Sequence, residues 1–202
     1  MIKRPLIRLI CLLTMLSGVG MLSGCGPSKA TASIPAATAT PAATATPATT
    51  TYTSADGQYS LKYPTGWTFT VTADPNSSGV VQFSSSGANE QFEILPFTVD
   101  VPSAANPAFY PALLKDDLSK NPTYFQDNKV DTTTSTESYP SGVWIVASAT
   151  TVMTGDPYVV RMYGLVHSGH LVIVVTYAPS ASATTDQTIY FAPMLTSFTF
   201  LK

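Results

Sequence analysis

From Ser28 to Thr50 the chain is almost wholly Ala, Thr and Pro, with Ala-Thr-Pro repeated at Ala39-Thr40-Pro41 and Ala45-Thr46-Pro47. A segment so poor in large apolar side chains cannot bury enough surface to offset the entropy of ordering it. It acts as a spacer, and its prolines favour an extended backbone. About 23 residues at ~3.1 Å each reach on the order of 70 Å. Any packed core must therefore come from the roughly 150 residues on the C-terminal side of the spacer, the usual size of one domain. The expected organisation is a tether over 25–51 and a single domain over 52–202.

The N-terminal side of the tether is a leader. Lys3, Arg4 and Arg8 make a basic start, Leu9 to Met21 is apolar, and Leu22-Ser23-Gly24-Cys25 closes the run with small residues. The apolar stretch is too short for a comfortable membrane-spanning helix, and Gly18 and Gly20 weaken it further. Residues 1–24 thus read as a signal peptide. The closing tetrad resembles the lipobox of bacterial lipoproteins. That resemblance implies a lipid on the Cys25 thiol, cleavage just before it, and a mature chain held at the extracytoplasmic face of a membrane. Gly26 stands where some double-membraned bacteria place an aspartate that retains such proteins at the inner membrane, so the receiving membrane depends on the cell envelope. Cys11 leaves with the leader, and with Cys25 acylated no disulfide or thiolate metal site is left.

Charge narrows the partners. The chain has ten Lys/Arg against twelve Asp/Glu, and three of the basic residues lie in the leader. The remainder is acidic and lacks a basic run, which excludes the concentrated cationic face that nucleic acid requires.

Within the domain the apolar residues alternate. Tyr59, Leu61 and Tyr63, then Trp67, Phe69 and Val71 after Pro64-Thr65-Gly66, predict a β-hairpin with one buried face. Further strands are expected at Val81–Phe83 and over 92–99, where Pro96 requires an edge or a bulge. Residues 107–120 change period: Phe109, Leu113, Leu114 and Leu118 predict a helix, with Asn106 near its start and Pro111 in its first turn. Four strands are expected over 130–138, 142–153, 158–167 and 170–177, the last two joined by a Ser168-Gly169 turn. A second helix over 184–195, kinked or ended early by Pro193, leads to a terminal strand over 197–200. Antiparallel strands with two inserted helices define an α+β domain.

Two segments resemble a known family. Gly57-Gln58-Tyr59-Ser60-Leu61-Lys62-Tyr63-Pro64-Thr65-Gly66-Trp67 is similar to the opening signature of the PsbP-like superfamily, and Met194-Leu195-Thr196-Ser197-Phe198-Thr199-Phe200 to its closing helix and strand. The resemblance implies a curved antiparallel β-sheet with helices packed on it, an α/β/α sandwich. It also implies a role in docking or assembly.

Few residues suggest chemistry. Arg161 interrupts the apolar run Tyr158-Val159-Val160-Arg161-Met162-Tyr163, so one face of that strand must accommodate a cation. Either it makes a cross-strand ion pair or snorkels, or Arg161 and Tyr163 contact an anionic ligand between sheet and helix. Tyr110, Tyr124 and Tyr139 are further candidates for an aromatic surface. His167 and His170 flank the Ser168-Gly169 turn and offer two metal donors, but zinc needs a third. No Gly-x-Ser-x-Gly, phosphate-cradling glycine loop or calcium-loop spacing occurs, and Asp116 and Asp117 diverge by about 100° on a helix. No cofactor is expected. The sequence favours a non-catalytic, lipid-anchored binding or accessory domain that docks to a protein or a small ligand at the envelope. An envelope hydrolase with an unrecognised site and a structural envelope protein stay open as alternatives.

Overall fold

Leu171 through Ala178 are buried without a break, as expected of a strand covered on both faces. In the computed structural model, which describes residues 47–73, 79–97 and 101–202, they lie in strand β10 (His170–Pro179) at the centre of a large antiparallel sheet. The expected signal peptide, Cys25 and most of the expected tether lie outside the described residues. Before β10 come β3 (Thr68–Thr72), β4 (Val80–Ser84), β5 (Gln91–Phe97), β6 (Phe125–Val130), β7 (Ser135–Tyr139), β8 (Gly142–Met153) and β9 (Asp156–His167). Among the described residues they make an eight-stranded sheet of order β3-β4-β5-β10-β9-β8-β6, with β7 also on β8. A smaller sheet, ordered β1-β2-β11, joins β1 (Thr49–Thr53), β2 (Tyr59–Pro64) and β11 (Thr199–Phe200).

The period-2 pattern splits the large sheet into two cores. On one face Phe83, Phe92, Ile94, Trp144, Val146, Tyr163 and Val174 meet Tyr59 and Leu61 of the small sheet and Phe191, Leu195 and Phe198 of the C-terminal helical segment. On the other, Ala147, Val160, Met162, Ile173 and Val175 are covered by helix α2 (Phe109–Ser119). Its buried residues, Tyr110, Leu114 and Leu118, recur every four positions and form a single stripe. A short helix α1 (Val101–Ala104) precedes it. Helix, sheet, and mixed strand-and-helix layers give the α+β sandwich expected from the sequence.

Several local expectations change. β2 and β3 do not form a hairpin: β2 pairs with β1 and β11, whereas β3 pairs with β4 in the other sheet. Alternation fixes which face is apolar but not which strand lies alongside. β3 has no buried residue at all, and Phe69 and Val71 are 44% and 49% exposed. β1 begins at Thr49, within the stretch expected to be tether, and the compact unit to which it belongs spans Thr44–Lys202. Both cores lie within that unit, which makes it a folding unit in its own right.

Pro96 finds the edge it needs. β5 pairs with β4 only as far as Ile94, while its register with β10 continues through Pro96 to Phe97. Pro193 does not end its helix: α3 (Ala183–Asp186) runs through a π-helical turn (Gln187–Phe191) into α4 (Ala192–Ser197), where Pro193 occupies the first turn. The wider turn falls just where the proline ring and missing N–H would break a regular ladder.

The two segments that resemble the PsbP-like signatures meet in space. β11 pairs with β2 at Tyr59 and Ser60, and Tyr59 stacks on Phe198 at 5.2 Å. The Lys62 N–H donates to Ser197 Oγ at 2.8 Å across 135 residues of sequence. β2 and the C-terminal segment are thereby fastened together over the same face of the large sheet.

Candidate functional site

Arg161 and Tyr163 sit two apart on β9 and point to the face covered by the C-terminal helical segment. Arg161 is opposite Ser148 on β8 and Thr176 on β10. Its Nη1 donates to Glu137 Oε1 at 3.2 Å, with the two side chains 36% and 30% exposed. Glu137 comes from β7, two strands away, and its other oxygen accepts from the Tyr139 hydroxyl at 2.6 Å. Tyr163 is fully buried and its hydroxyl donates to Gln187 Oε1 at 3.1 Å, at the first residue of the π-helical turn. The helical segment, the core strand β9 and the edge strand β7 thus hold one polar chain: Gln187, Tyr163, Arg161, Glu137 and Tyr139.

Enclosure sets the electrostatics. Burial by itself works against a charged Arg161, but the Tyr163 hydroxyl and the Glu137 carboxylate outweigh it and hold the guanidinium pKa above its ordinary value. Burial pushes Tyr163 and Tyr139 up, and Glu137 adds to both. The cation is therefore fixed in charge, and the phenols beside it stay neutral.

A depression of about 210 Å³ opens over Arg161. Thr176, Ser180, Thr184 and Gln187 give it hydroxyl and amide groups, and Val159 and Phe191 give it apolar wall. It can take a small polar or anionic group, or a side chain of a docked protein. Tyr163 itself is inaccessible, so its part is to hold Arg161 and Gln187 from beneath. Tyr110 is also buried, and Tyr124 and Tyr139 are half-buried, so these tyrosines do not make an exposed aromatic face.

His167 and His170 are register partners across the predicted two-residue turn, in which Ser168 and Gly169 both have positive φ, 50° and 81°. This is the backbone of a primed hairpin turn. The His167 ring stacks on Phe200 at 3.9 Å, and no group of three or more metal-ligating side chains occurs among the described residues. Among the described residues the pair is joined by no third donor of the kind zinc requires.

Glu137 and Gln187 give no sign of a role in the sequence. A lone acid in a Ser/Thr-rich strand carries no local signal, because each lies 24 residues from its partner. An expected result separates stability from function here. Because the pair is half-exposed, Arg161→Gln should cost less than about 1 kcal/mol in urea unfolding. A loss above about 3 kcal/mol would instead make it a structural ion pair.

The layers and the joining of β2 to the C-terminal segment fit a PsbP-like fold. Cyanobacterial PsbP (CyanoP) from Synechocystis sp. PCC 6803 superposes with a TM-score of 0.56 at 12% identity, over 82% of this chain and 99% of that one. The Ran-binding protein Mog1p of Saccharomyces cerevisiae gives 0.50 at 9% identity, over 77% and 96%. LpqN of Mycobacterium tuberculosis, described as involved in cell envelope biogenesis, gives 0.48 at 12% identity, over 77% and 91%. No family model matches the chain, and no curated protein sequence matches it.

Proposed function

We propose that this chain is a lipid-anchored, non-catalytic binding or accessory domain, displayed on the extracytoplasmic side of a membrane and docking to a protein or small ligand through the Arg161 depression. The observation that carries the reading is the depression itself, where a permanently charged, half-exposed guanidinium stands among hydroxyl and amide side chains. Its one carboxylate partner among the described residues approaches from β7 and leaves the side toward Thr176 and Gln187 for a visitor. The fold gives general support, since one protein that shares it is by name a Ran-binding protein. The leader and lipobox supply the anchor at Cys25, and the Ala/Thr/Pro tether holds the domain off the membrane. Among the described residues no helix is long and apolar enough to cross a membrane.

The full chain expressed in a bacterial host tests both halves. The wild type should incorporate labelled palmitate and sediment with membranes, and Cys25→Ala should do neither; membrane retention of that variant would overturn the anchor. Envelope extracts passed over the wild-type chain should yield a partner or ligand that Arg161→Gln fails to retain. An identical yield from both would remove the depression from the function.

A further inference from the structure

The two edges of the large sheet are treated differently. At one edge β6 and β7 lie on β8, and they carry the devices that discourage strand pairing: a register shift between Gln126 and Lys129, a positive φ of 51° at Asp127, and the charges of Asp127, Lys129 and Glu137. At the other edge β3 is Thr68-Phe69-Thr70-Val71-Thr72, with no charge, no proline and no bulge in its register with β4. All five residues are exposed, and two of the four exposed large apolar side chains among the described residues, Phe69 and Val71, sit on it. The β1 edge of the small sheet differs, because β1 presents only threonines outward and its Tyr52 is buried.

Phe69 also continues an aromatic cluster. Its ring lies 5.1 Å from Tyr52, 5.8 Å from Phe83 and 6.0 Å from Tyr63, so the apolar core runs out to the edge and stops half-covered. A strand laid against β3 would extend the sheet and cover that end of the core.

We infer that the outer edge of β3, unpaired among the described residues, pairs with the β3 edge of a second copy of this chain, antiparallel and centred on Thr70, so that one sheet runs through a twofold axis. The strand is nearly its own reverse. In that register Thr70 faces Thr70 of the copy, Phe69 faces Val71, and Thr68 faces Thr72, which sets apolar against apolar on one face and hydroxyl against hydroxyl on the other. Because β3 is uncharged, no like charges oppose each other across the axis, although the chain as a whole is acidic. A five-residue ladder is short, so the contact belongs with weak interfaces of under ~1,200 Å². The pairing does not depend on the Arg161 reading.

The experiment uses the unit Thr44–Lys202, which contains both cores and no cysteine. Antiparallel neighbours have Cα atoms about 4.5–5.5 Å apart, within disulfide reach. Mild oxidation of Thr70→Cys should therefore give a covalent dimer, whereas Thr150→Cys, exposed on a strand paired on both sides, should not. Sedimentation equilibrium should show concentration-dependent dimers, with the dissociation constant raised ~10-fold or more in Thr70→Lys, where like charges meet at the axis. Unchanged circular dichroism would confirm that this variant folds. A wild type that stays monomeric at millimolar concentration, or cross-linking no faster in Thr70→Cys than in Thr150→Cys, would overturn the pairing. So would dimers that Thr70→Lys leaves intact.

Discussion

Gly164→Ala should lower the stability of the domain by about 3 kcal/mol, a drop in Tm of roughly 6–12 °C for a domain of this size. The reason is one contact between β9 and α2. A Cβ at position 164 would stand 1.9 Å from Cε1 of Tyr110, 2.6 Å from its Cζ and 2.8 Å from its Cδ1. The ring has nowhere to retreat, since Tyr110 is 1% exposed and its hydroxyl donates to the Ala104 carbonyl at 2.7 Å. Moving it both overpacks the layer between α2 and the sheet and strips a buried hydrogen bond. The glycine is thus needed for space, which lets the helix lie close to the sheet where Ile145 and Ile173 flank Gly164 on the neighbouring strands. A double-mutant cycle isolates the effect. In a Tyr110→Ala background the same substitution should cost under about 1 kcal/mol, because its neighbour is gone. Equal costs in both backgrounds would assign the loss to the strand rather than to the ring.

That contact also shows where reading the sequence stops. The period of Phe109 to Leu118 is enough for a helix, and the alternation of 158–167 enough for a strand, but nothing local tells that a tyrosine of one sits on a glycine of the other. The same limit explains the false hairpin. Tyr59–Tyr63 and Trp67–Val71 have the alternation and the short Pro-Thr-Gly link of a hairpin, yet β2 draws its partners from Thr49–Thr53 and from Thr199–Phe200. β1 itself is hidden because its threonines continue the composition of the tether, with Tyr52 the only apolar residue to mark it. What is legible rests on local physics: the Ser168-Gly169 turn, the α2 stripe, the buried run of β10. Of the site, Arg161 is visible as a cation in an apolar strand. Glu137 and Gln187 are not, because tertiary pairing alone gives them a role.

Between about pH 4.5 and pH 7 the folded domain should lose stability as pH rises, and Glu93 should account for it. Glu93 lies on β5 beside Val175 and on the α2 side of the sheet, where its neighbours are Tyr177 and the helix residue Asp117. Burial pushes its carboxyl up to about 7, the Asp117 charge pushes the same way, and the hydrogen bond with Tyr177 opposes them in part. Tyr177 is raised well above its ordinary value by its own burial, then by Glu93, Asp117 and Tyr124, so it stays a neutral donor throughout this range. Linkage gives the sign. With the folded pKa above the unfolded one, the native state holds a proton that the unfolded chain has released, so stability is fullest below pH 4.5 as far as this group is concerned. It then falls by up to ~1.4 kcal/mol per pH unit and levels off above pH 8, a total on the order of 3 kcal/mol. Glu93→Gln keeps the hydrogen-bonding shape without the titration. Urea midpoints measured from pH 5 to pH 8 should therefore fall for the wild type and change less for the variant, which should be the more stable of the two at pH 8. Parallel profiles would mean that the carboxyl ionises in the folded protein as it does in the unfolded chain, and that water or a shift of α2 relieves the crowding between Glu93 and Asp117.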